Sequence, residues 1–273
     1  MVLRFIALVT AVAGLSGSLG FAEEGLFEHR LWDHVVRQYV SSEGLVDYAS
    51  LKRHPEELFA YVDAIAENSP DSAPDMFPTE AHRLAYWINA YNALIVARVV
   101  HNYPLKSIKD LGGLFGGVFG KKQIVGGKEL SYDDIEHGIV RKRFHDPRIH
   151  FALNCASRSC APLWAEAFTA GNLDRLLDDS AKRFLNSPRN FIVRPDKGRV
   201  ELSKYFDWFA KDFKSWMERE TGNRHAGVLD YVERYLEPKK LAELEQRKKW
   251  KIRFLSYDWS LNDAGSVKET SRR

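Results

Sequence analysis

The chain has 273 residues, with 40 Lys and Arg against 37 Asp and Glu and a formal net charge of +3 at pH 7. This near balance of charges lacks the basic footprint of a nucleic-acid-binding domain. The length is sufficient to bury a hydrophobic core, and it fits one large domain with helical additions.

The first 22 residues have the features of a secretory signal peptide. Arg4 supplies a positive charge, residues 5–15 form an apolar run too short to span a bilayer, and Gly20 and Ala22 occupy the two positions that signal peptidase reads. We predict cleavage after Ala22 and a periplasmic or secreted protein. The alternative is an uncleaved anchor. No second apolar segment follows, so we expect no membrane span in the mature chain.

Residues 23–78 are predicted to form an N-terminal helical segment. Apolar residues at helical spacing predict helices over 23–41 and 55–68. A short strand is predicted at 45–48, and three prolines mark 69–78 as a surface connection. We expect this segment to pack against the rest of the chain and to carry no chemistry.

The predicted main domain, residues 79–262, begins with the strongest helical pattern in the chain. Thr79 is placed to cap this helix, and the apolar face continues to Asn102. Asn89 and Asn92 lie at the edge of that face, where a buried amide costs free energy unless it is hydrogen-bonded. We expect these two amides to bind backbone groups or a substrate, and backbone is the preferred partner.

The rest of the main domain is predicted to contain two β-hairpins and several helices. Gly126-Gly127 and residues 195–198 predict the two hairpin turns, and a capping box starting at Ser131 predicts a helix that ends near Arg143. The other predicted elements are helices over 172–185, from Ser203 and over 225–235, a helix or linker over 239–251, a last strand within 252–257 and a frayed tail over 263–273. We therefore predict a mainly helical α+β fold, with a small β-sheet and two hairpins in one principal domain.

Residues 148–162 contain the only two cysteines of the chain, Cys155 and Cys160. Alternation of apolar residues over 149–153 predicts a half-buried strand, the small and polar residues that follow predict a loop, and Pro162 predicts the first turn of a helix. A thiol at the meeting point of a strand and a helix N-terminus can have a lowered pKa. In an oxidising compartment the same spacing can instead close a structural disulfide between the two cysteines.

Five segments of the chain together carry a family resemblance. They are Ala85–Ala93, Ser131–His137, His150–Pro162, Leu202–Phe213 and Tyr257–Asn262. The pairing of a Trp-Ile-Asn-x-Tyr-Asn helix with an Asn-Cys-x4-Cys loop is its most specific part, and the central similarity covers about residues 79–185. These segments resemble the family known as domain of unknown function 547. The resemblance implies a shared fold and a frequently exported bacterial setting, and it implies no particular activity.

One function compatible with these features is a binding or structural role in the cell envelope, centred on the Asn154-Cys155-x4-Cys160 loop. The candidate binding residues are Asn89, Asn92, Asn154, Arg158 and Asp258. The partner in this interpretation is a cell-envelope ligand or protein, and nucleic acid is not expected. No cofactor and no metal is predicted.

The alternative function is a cysteine-dependent hydrolase that cleaves an amide, ester or peptide bond. Cys155 or Cys160 is the candidate nucleophile, and His137 with Glu136, or His150, is the candidate base. Asn154 or backbone N–H groups are the candidate oxyanion donors. A third interpretation uses the same carboxylate and imidazoles without the thiol, as acid, base or metal ligands.

The predicted strand argues against a compact triad within this local sequence. At a rise of ~3.3 Å per residue, an extended segment would place His150 about 16 Å from Cys155, with the two side chains on opposite faces. Similar reasoning places His137 nearer to His150 than to Cys155. A compact triad therefore does not follow from the local sequence. An early end of the strand or a tilted helix would close the gap, and Asn89, Asn92, His101 and Asp258 are candidates to approach the thiol from elsewhere in the chain.

Overall fold

The computed structural model describes residues 25–112 and 117–265. The predicted signal peptide and most of the predicted tail lie outside these residues. Over the described residues the chain is mainly helical, with one two-stranded and one three-stranded β-sheet, which confirms the predicted α+β class. None of the helices in this part of the chain is long and apolar enough to cross a membrane.

Three helices form the N-terminal segment. They are α1 (Arg30–Tyr39), α2 (Tyr48–Arg53) and α3 (Glu56–Glu67). The strand predicted at 45–48 is wrong, because Asp47 accepts a hydrogen bond from the backbone N–H of Ser50 and so caps α2. Val46 contributes only isolated β-bridges, one of them to Val40.

The long helix α4 (Glu80–Asn102) lies at the centre of the structure, and its predicted bounds are confirmed. Thr79 caps it by accepting a hydrogen bond from the backbone N–H of His82. The helix is buried around most of its circumference, and it packs against α2 and α3. Asn89 and Asn92, in the middle turns of the helix, can therefore form hydrogen bonds to neighbouring segments of backbone while they remain shielded from water.

The first predicted hairpin is also confirmed. Strands β1 (Lys122–Val125) and β2 (Lys128–Ser131) pair antiparallel. Both turn residues, Gly126 and Gly127, have positive φ angles, at 56° and 74°. This conformation is what a two-residue hairpin turn requires, and it favours glycine.

A π-helical turn over Asp134–Val140 follows the hairpin and continues into α5 (Arg141–Phe144). Its start matches the predicted capping box, since Ser131 Oγ accepts from the N–H of Asp134 while the Asp134 carboxylate accepts from the N–H of Ser131. The π-helical turn carries Glu136 and His137. Such turns are rare and occur frequently at functional sites.

The strand predicted at 149–153 is wrong, and so is the helix predicted to start at Pro162. Residues Pro147–Phe151 form a 3₁₀ helix, because Asp146 caps them by accepting from the N–H of Arg148 at 2.9 Å. The alternation of apolar residues instead reflects two cores, with Ile149 packed in one and Phe151 in the other. After Pro162 the chain stays irregular until α6 (Leu173–Asn186).

The C-terminal part of the chain forms the second sheet and its supporting helices. The strands are β3 (Phe191–Arg194), β4 (Arg199–Leu202) and β5 (Lys251–Phe254), and the helices are α7 (Tyr205–Trp208), α8 (Ala210–Thr221), α9 (Val228–Glu233) and α10 (Pro238–Glu245). The second hairpin and the last strand are confirmed. In the sheet β3 and β4 pair antiparallel, and β5 pairs parallel to β4.

The buried residues form two hydrophobic cores, and residues 152–161, here called the thiol loop, lie between them. Leu153 and Ala156 pack in the core built around α1 to α4, whereas Cys160 packs in the core of α6, the second sheet and α7 to α9. The C-terminal segment 257–262 runs beside the loop, and the N–H of Arg158 donates to the carbonyl of Ser260 at 2.8 Å. The fold thus places both thiols at a junction, where ligand sites are frequently found.

Candidate active site

A cleft of about 320 Å³, here called the thiol cleft, opens beside the thiol loop. All five residues predicted as catalytic line it. They are Glu136, His137, His150, Cys155 and Cys160. Three other grooves are larger, at about 980, 770 and 450 Å³, and none of them contains Glu136 or His150. Cys160 also lines the groove of about 770 Å³. The thiol cleft is therefore the strongest candidate site on chemical grounds, although it is not the largest cavity.

Both cysteines are free thiols, so the structural disulfide considered from the sequence is absent. Cys155 is partly exposed to the cleft. Cys160 is only 6% exposed and lies deeper than Cys155 in the wall of the cleft. The backbone N–H of Cys155 donates a hydrogen bond to the Cys160 sulfur at 2.8 Å, and the hydroxyl of Tyr205 lies 3.1 Å from the same sulfur. In both of these hydrogen bonds the sulfur of the Cys160 thiol is the acceptor.

The sulfur of Cys155 lies between two hydroxyl groups. Ser157 Oγ is 3.1 Å from it and the Tyr257 hydroxyl is 3.2 Å from it, while the two oxygens are 2.9 Å apart. Ala156, between the cysteine and the serine, has a positive φ of 58°. This left-handed conformation costs an alanine about 1 to 2 kcal/mol, and it turns the chain so that Ser157 faces the sulfur.

The surroundings of Cys155 favour its thiolate form. Burial alone would raise the pKa of this thiol, but the hydrogen bonds from Cys160, Ser157 and Tyr257 outweigh burial and lower the pKa to about 7. For Cys160 the balance is reversed, since burial and the neighbouring Cys155 raise its pKa well above the ordinary value. The pair therefore contains one thiolate that forms near neutral pH and one thiol that stays protonated.

His150 is held by a carboxylate on α8. Its Nε2 lies 2.9 Å from Asp212, which also forms a two-point ion pair with Arg141. Burial lowers the pKa of His150 despite the hydrogen bond to Asp212, and the ring stacks on Phe209 with centroids 3.9 Å apart. The imidazole is therefore neutral near pH 7, and its Nε2 carries the hydrogen that it donates to the carboxylate.

The second ring nitrogen of His150 differs from the first in its hydrogen bonding. Nδ1 is buried and has no hydrogen-bond partner among the described residues. With Nε2 protonated, Nδ1 holds a lone pair. No hydrogen bond joins His150 to Cys155 within the described ranges, yet both residues line the same cleft. The 16 Å separation expected from the sequence assumed a strand, and the 3₁₀ helix removes that assumption.

Glu136 is the buried acid of the cleft. Its side chain is 16% exposed, and Oε2 accepts a hydrogen bond from the Tyr91 hydroxyl at 3.1 Å. Burial raises the pKa of Glu136, and the neighbouring Cys155 acts in the same direction while His137 opposes it. His137 itself is at the rim, with its side chain 44% exposed and its Nδ1 3.1 Å from Arg141.

The three asparagines predicted as binding residues have structural roles. Asn92 joins α4 to the thiol loop, because its amide donates to the carbonyl of Ala152 and accepts from the N–H of Asn154. Asn89 makes the equivalent pair of bonds to the backbone of Phe168. Asn154 donates to the carbonyl of Ala161 across the base of the loop, and it does not line the thiol cleft. Its side chain is therefore not an oxyanion donor for the cleft.

Arg158 and Asp258, the other two predicted binding residues, lie in a separate surface groove. Their two segments are joined by backbone hydrogen bonds, one of which runs from the N–H of Ser159 to the carbonyl of Asp258. The Asp258 carboxylate accepts from Ser260. Neither of these two residues lines the thiol cleft, although Arg158 belongs to the thiol loop and shares a second groove with Cys160.

Sequence reasoning missed the residues that set the chemistry of the thiol and the imidazole. They are Tyr91, Ser157, Tyr205, Asp212 and Tyr257. Asp212 and Tyr257 belong to two of the C-terminal segments that carried the family resemblance, which was the available signal. Nothing in their local sequence indicated the partners, because Asp212 is 62 positions from His150 and Tyr257 is 102 positions from Cys155.

Comparison with known proteins gives one family. The model of a family described as "Protein of unknown function, DUF547" matches residues 76–185, a range that includes α4, the π-helical turn and the thiol loop. Neither the curated proteins nor the solved structures gave a match. The family description assigns no activity, and Asp212 and Tyr257 lie outside the matched range. Residues 76–185 are thus similar to the DUF547 family model, in agreement with the resemblance seen in the sequence.

Proposed function

We propose that the protein is an exported cysteine-dependent hydrolase of the cell envelope, which cleaves an ester or amide bond in the thiol cleft with Cys155 as its nucleophile. One observation carries the proposal. A partly exposed thiol with a pKa of about 7 shares a cleft with a neutral imidazole, whose Nε2 is fixed by Asp212 and whose Nδ1 is unpartnered. A nucleophile, a base and the group that orients the base are the parts such a reaction needs.

The two steps of the reaction divide between these residues. In the first step the Cys155 thiolate attacks the carbonyl carbon, forms a thioester and expels the leaving group, which takes a proton from Glu136. In the second step His150 Nδ1 removes a proton from water, the hydroxide attacks the thioester, and the Cys155 thiolate leaves with release of the acid. The proton on His150 then passes through solvent to Glu136, which restores both residues. Because hydrogen bonds already stabilise the thiolate, His150 does not need to touch the sulfur.

Donors for the negative oxygen of the tetrahedral intermediate are present beside the sulfur. The backbone N–H and the hydroxyl of Ser157 both face Cys155, and the Tyr257 hydroxyl lies beside them. Such donors stabilise the transition state where negative charge develops. They take the role that the sequence interpretation gave to Asn154.

The rim of the cleft favours a binding function alongside catalysis. Trp208 is 45% exposed, and its ring lies 5.0 Å from Tyr257 and 6.2 Å from Trp259. Trp208 is exposed and Tyr257 and Trp259 are half-buried, and such an aromatic cluster is a platform for an apolar or cyclic group of a ligand. If catalysis were absent, this platform would support the cell-envelope binding role instead.

The proposal is tested with an activated ester and intact-protein mass spectrometry. Reduced protein mixed with p-nitrophenyl acetate should release a burst of p-nitrophenol and carry one acetyl group on Cys155. Cys155→Ser should lose the burst. His150→Asn should keep the burst but lose steady turnover by at least about 100-fold, because the base acts on the second step. Acetylation that survives in Cys155→Ser, or turnover that is unchanged in His150→Asn, would contradict the mechanism.

A further inference from the structure

Cys160 is a thiol that forms and breaks no covalent bond in the proposed hydrolytic reaction. It lines the thiol cleft behind Cys155, and it is buried apart from a 6% exposed fraction. A buried cysteine can act simply as a small apolar residue. Cys160 differs from that case because its sulfur accepts hydrogen bonds from the Cys155 N–H at 2.8 Å and from the Tyr205 hydroxyl at 3.1 Å, which hold it next to Cys155. Its own S–H points to the carbonyl of Leu153 at 3.7 Å.

The backbone of the thiol loop brings the two sulfurs together. Ala156 turns the chain with its positive φ, and the N–H of Cys160 then bonds to the carbonyl of Ser157 at 3.1 Å. Asn154 closes the base of the loop through its bond to the carbonyl of Ala161. The loop is thus a closed turn with one sulfur facing the cleft and the other directly behind it.

The two thiols also differ in the way that a thiol–disulfide exchange centre requires. Such a centre needs an accessible thiolate that attacks first and a second, protonated thiol held within reach of it. Cys155 is partly exposed and its pKa is about 7, whereas Cys160 is buried and its pKa is raised. The order of attack is therefore set by the fold, with Cys155 first and Cys160 second.

We propose that Cys155 and Cys160 form a thiol–disulfide exchange couple that reacts with small disulfide compounds entering the thiol cleft. The Cys155 thiolate attacks one sulfur of the incoming disulfide, forms a mixed disulfide and releases the other half as a thiolate. Cys160 then loses its proton to water and attacks the Cys155 sulfur. A Cys155–Cys160 disulfide forms, the second half of the compound leaves as a thiolate, and the incoming disulfide has been reduced to two thiols.

This exchange goes beyond the proposed hydrolase and does not depend on it. The hydrolase requires His150 and Glu136, whereas exchange requires only the two thiols and the donors that stabilise Cys155. The two activities are linked in one direction, because the oxidised pair has no free Cys155 thiolate. Oxidation of the couple would therefore switch the hydrolase off.

Glutathione disulfide is a suitable probe. Reduced protein is mixed with it at pH 7.5, quenched with acid, treated with maleimide and weighed as intact protein. Wild-type protein should pass through a transient glutathione adduct and end two hydrogens lighter, with no thiol left for maleimide. Cys160→Ser should stop at a stable glutathione adduct on Cys155, and Cys155→Ser should react at least tenfold more slowly.

Two outcomes would overturn the exchange couple. One is a stable adduct on the wild-type protein, which would show that Cys160 does not resolve the mixed disulfide. The other is a reaction that begins at Cys160. Cys160→Ala, with circular dichroism as a check on folding, repeats the test if the serine variant is unstable. His150→Asn separates the two proposals, since it should retain the exchange reaction fully while it loses ester turnover.

Discussion

The hydroxyl of Tyr257 lies 3.2 Å from the sulfur of Cys155, although the two residues are 102 positions apart in the chain. The same hydroxyl is 2.9 Å from Ser157 Oγ, so the tyrosine and the serine face the sulfur together. A thiolate is stabilised when hydroxyl groups donate hydrogen bonds to it. The C-terminal segment thus completes a site that the thiol loop begins.

Replacement of Tyr257 by Phe should make Cys155 a weaker acid. The variant loses one hydroxyl donor to the thiolate, and a hydrogen bond to a charged group is worth roughly 1.5 to 3 kcal/mol, so the pKa of Cys155 should rise by about one unit or more. The measurement is the pH dependence of iodoacetamide alkylation, whose midpoint should move upward from about 7.

Tyr86→Phe is the matched control for this change. Its hydroxyl is buried and donates to the carbonyl of Asn68, away from the thiols, so the control should lower stability without moving the alkylation midpoint. An identical midpoint in Tyr257→Phe and wild-type protein would show that the hydroxyl does not stabilise the thiolate.

Asp212 should contribute stability that depends on pH. Burial alone would raise its pKa, but bonds from His150 and Arg141 hold the pKa well below the usual range. Its stabilising contribution is therefore fully present above the unfolded value of about 3.9, and it is lost as the pH falls through the lower folded value. Asp212→Asn should lower the free energy of unfolding by roughly 2 kcal/mol at pH 7 and by less under strongly acidic conditions.

Urea unfolding at several pH values measures this dependence. Asp71→Asn is the control, because Asp71 pairs with Arg143 in a more exposed ion pair and should cost at most about 1 kcal/mol. Only Asp212→Asn should also slow ester turnover, since only that carboxylate orients His150. Equal effects of the two substitutions on turnover would remove Asp212 from the site.

Much of the secondary structure followed from local sequence, for physical reasons that are visible in particular residues. Thr79 and the apolar face of α4 define a helix by themselves, and the Gly126-Gly127 turn defines a hairpin. The strand prediction for residues 149–153 failed because the segment lies between two cores. Burial of its apolar side chains in both cores produces the same alternation of apolar residues as a strand. Periodicity reports which side chains are buried, and two different backbones can bury the same set.

The sequence singled out the thiols, the imidazole and the buried carboxylate of the candidate site, but neither their arrangement nor the residues that hold them. Cys155 and Cys160 stand out as the only cysteines, and His150 and Glu136 lie in segments that resemble the family. Their arrangement depends on Asp212 and Tyr257, which come from distant segments and make single hydrogen bonds that no spacing rule encodes. A loop at a junction of two cores takes its chemistry from whatever side chains the fold brings there.

Asn92 should control the reactivity of the thiol through the backbone. Asn92→Ala removes two buried hydrogen bonds between α4 and the thiol loop, at a cost of about 2 to 4 kcal/mol. Asn89→Ala removes two comparable bonds to Phe168 and should cost a similar amount. Iodoacetamide alkylation under native conditions should change several-fold only in Asn92→Ala. A similar change in both variants would indicate general loosening of the fold and not control of the loop.

We propose that the protein is exported and that its leader is cleaved after Ala22. Full-length chain expressed in a Gram-negative host should be recovered from the periplasm with Glu23 at its N-terminus, as measured by intact mass. Ala22→Asp places a charge at the position that signal peptidase reads, and it should leave the precursor uncleaved. A wild-type chain that keeps Met1 and sediments with membranes would support the uncleaved anchor instead.

Glu136 should matter more as the leaving group becomes poorer. Its raised pKa keeps the carboxyl protonated to higher pH, so it can donate a proton to an expelled alkoxide or amine. p-Nitrophenolate leaves without a proton, whereas phenolate benefits from one. Glu136→Gln should therefore slow cleavage of phenyl acetate by about 10 to 100-fold and leave p-nitrophenyl acetate nearly unchanged.

The pH profile gives a second measure of the same role. With phenyl acetate, the rate for wild-type protein should fall as the pH rises through the pKa of Glu136, because the proton donor is lost, and Glu136→Gln should lack this fall. Asp133→Asn is the control, since Asp133 is an exposed carboxylate at the rim of the same cleft. An equal loss for both esters in Glu136→Gln would mean that the residue shapes the cleft through its bond to Tyr91 and does not donate a proton.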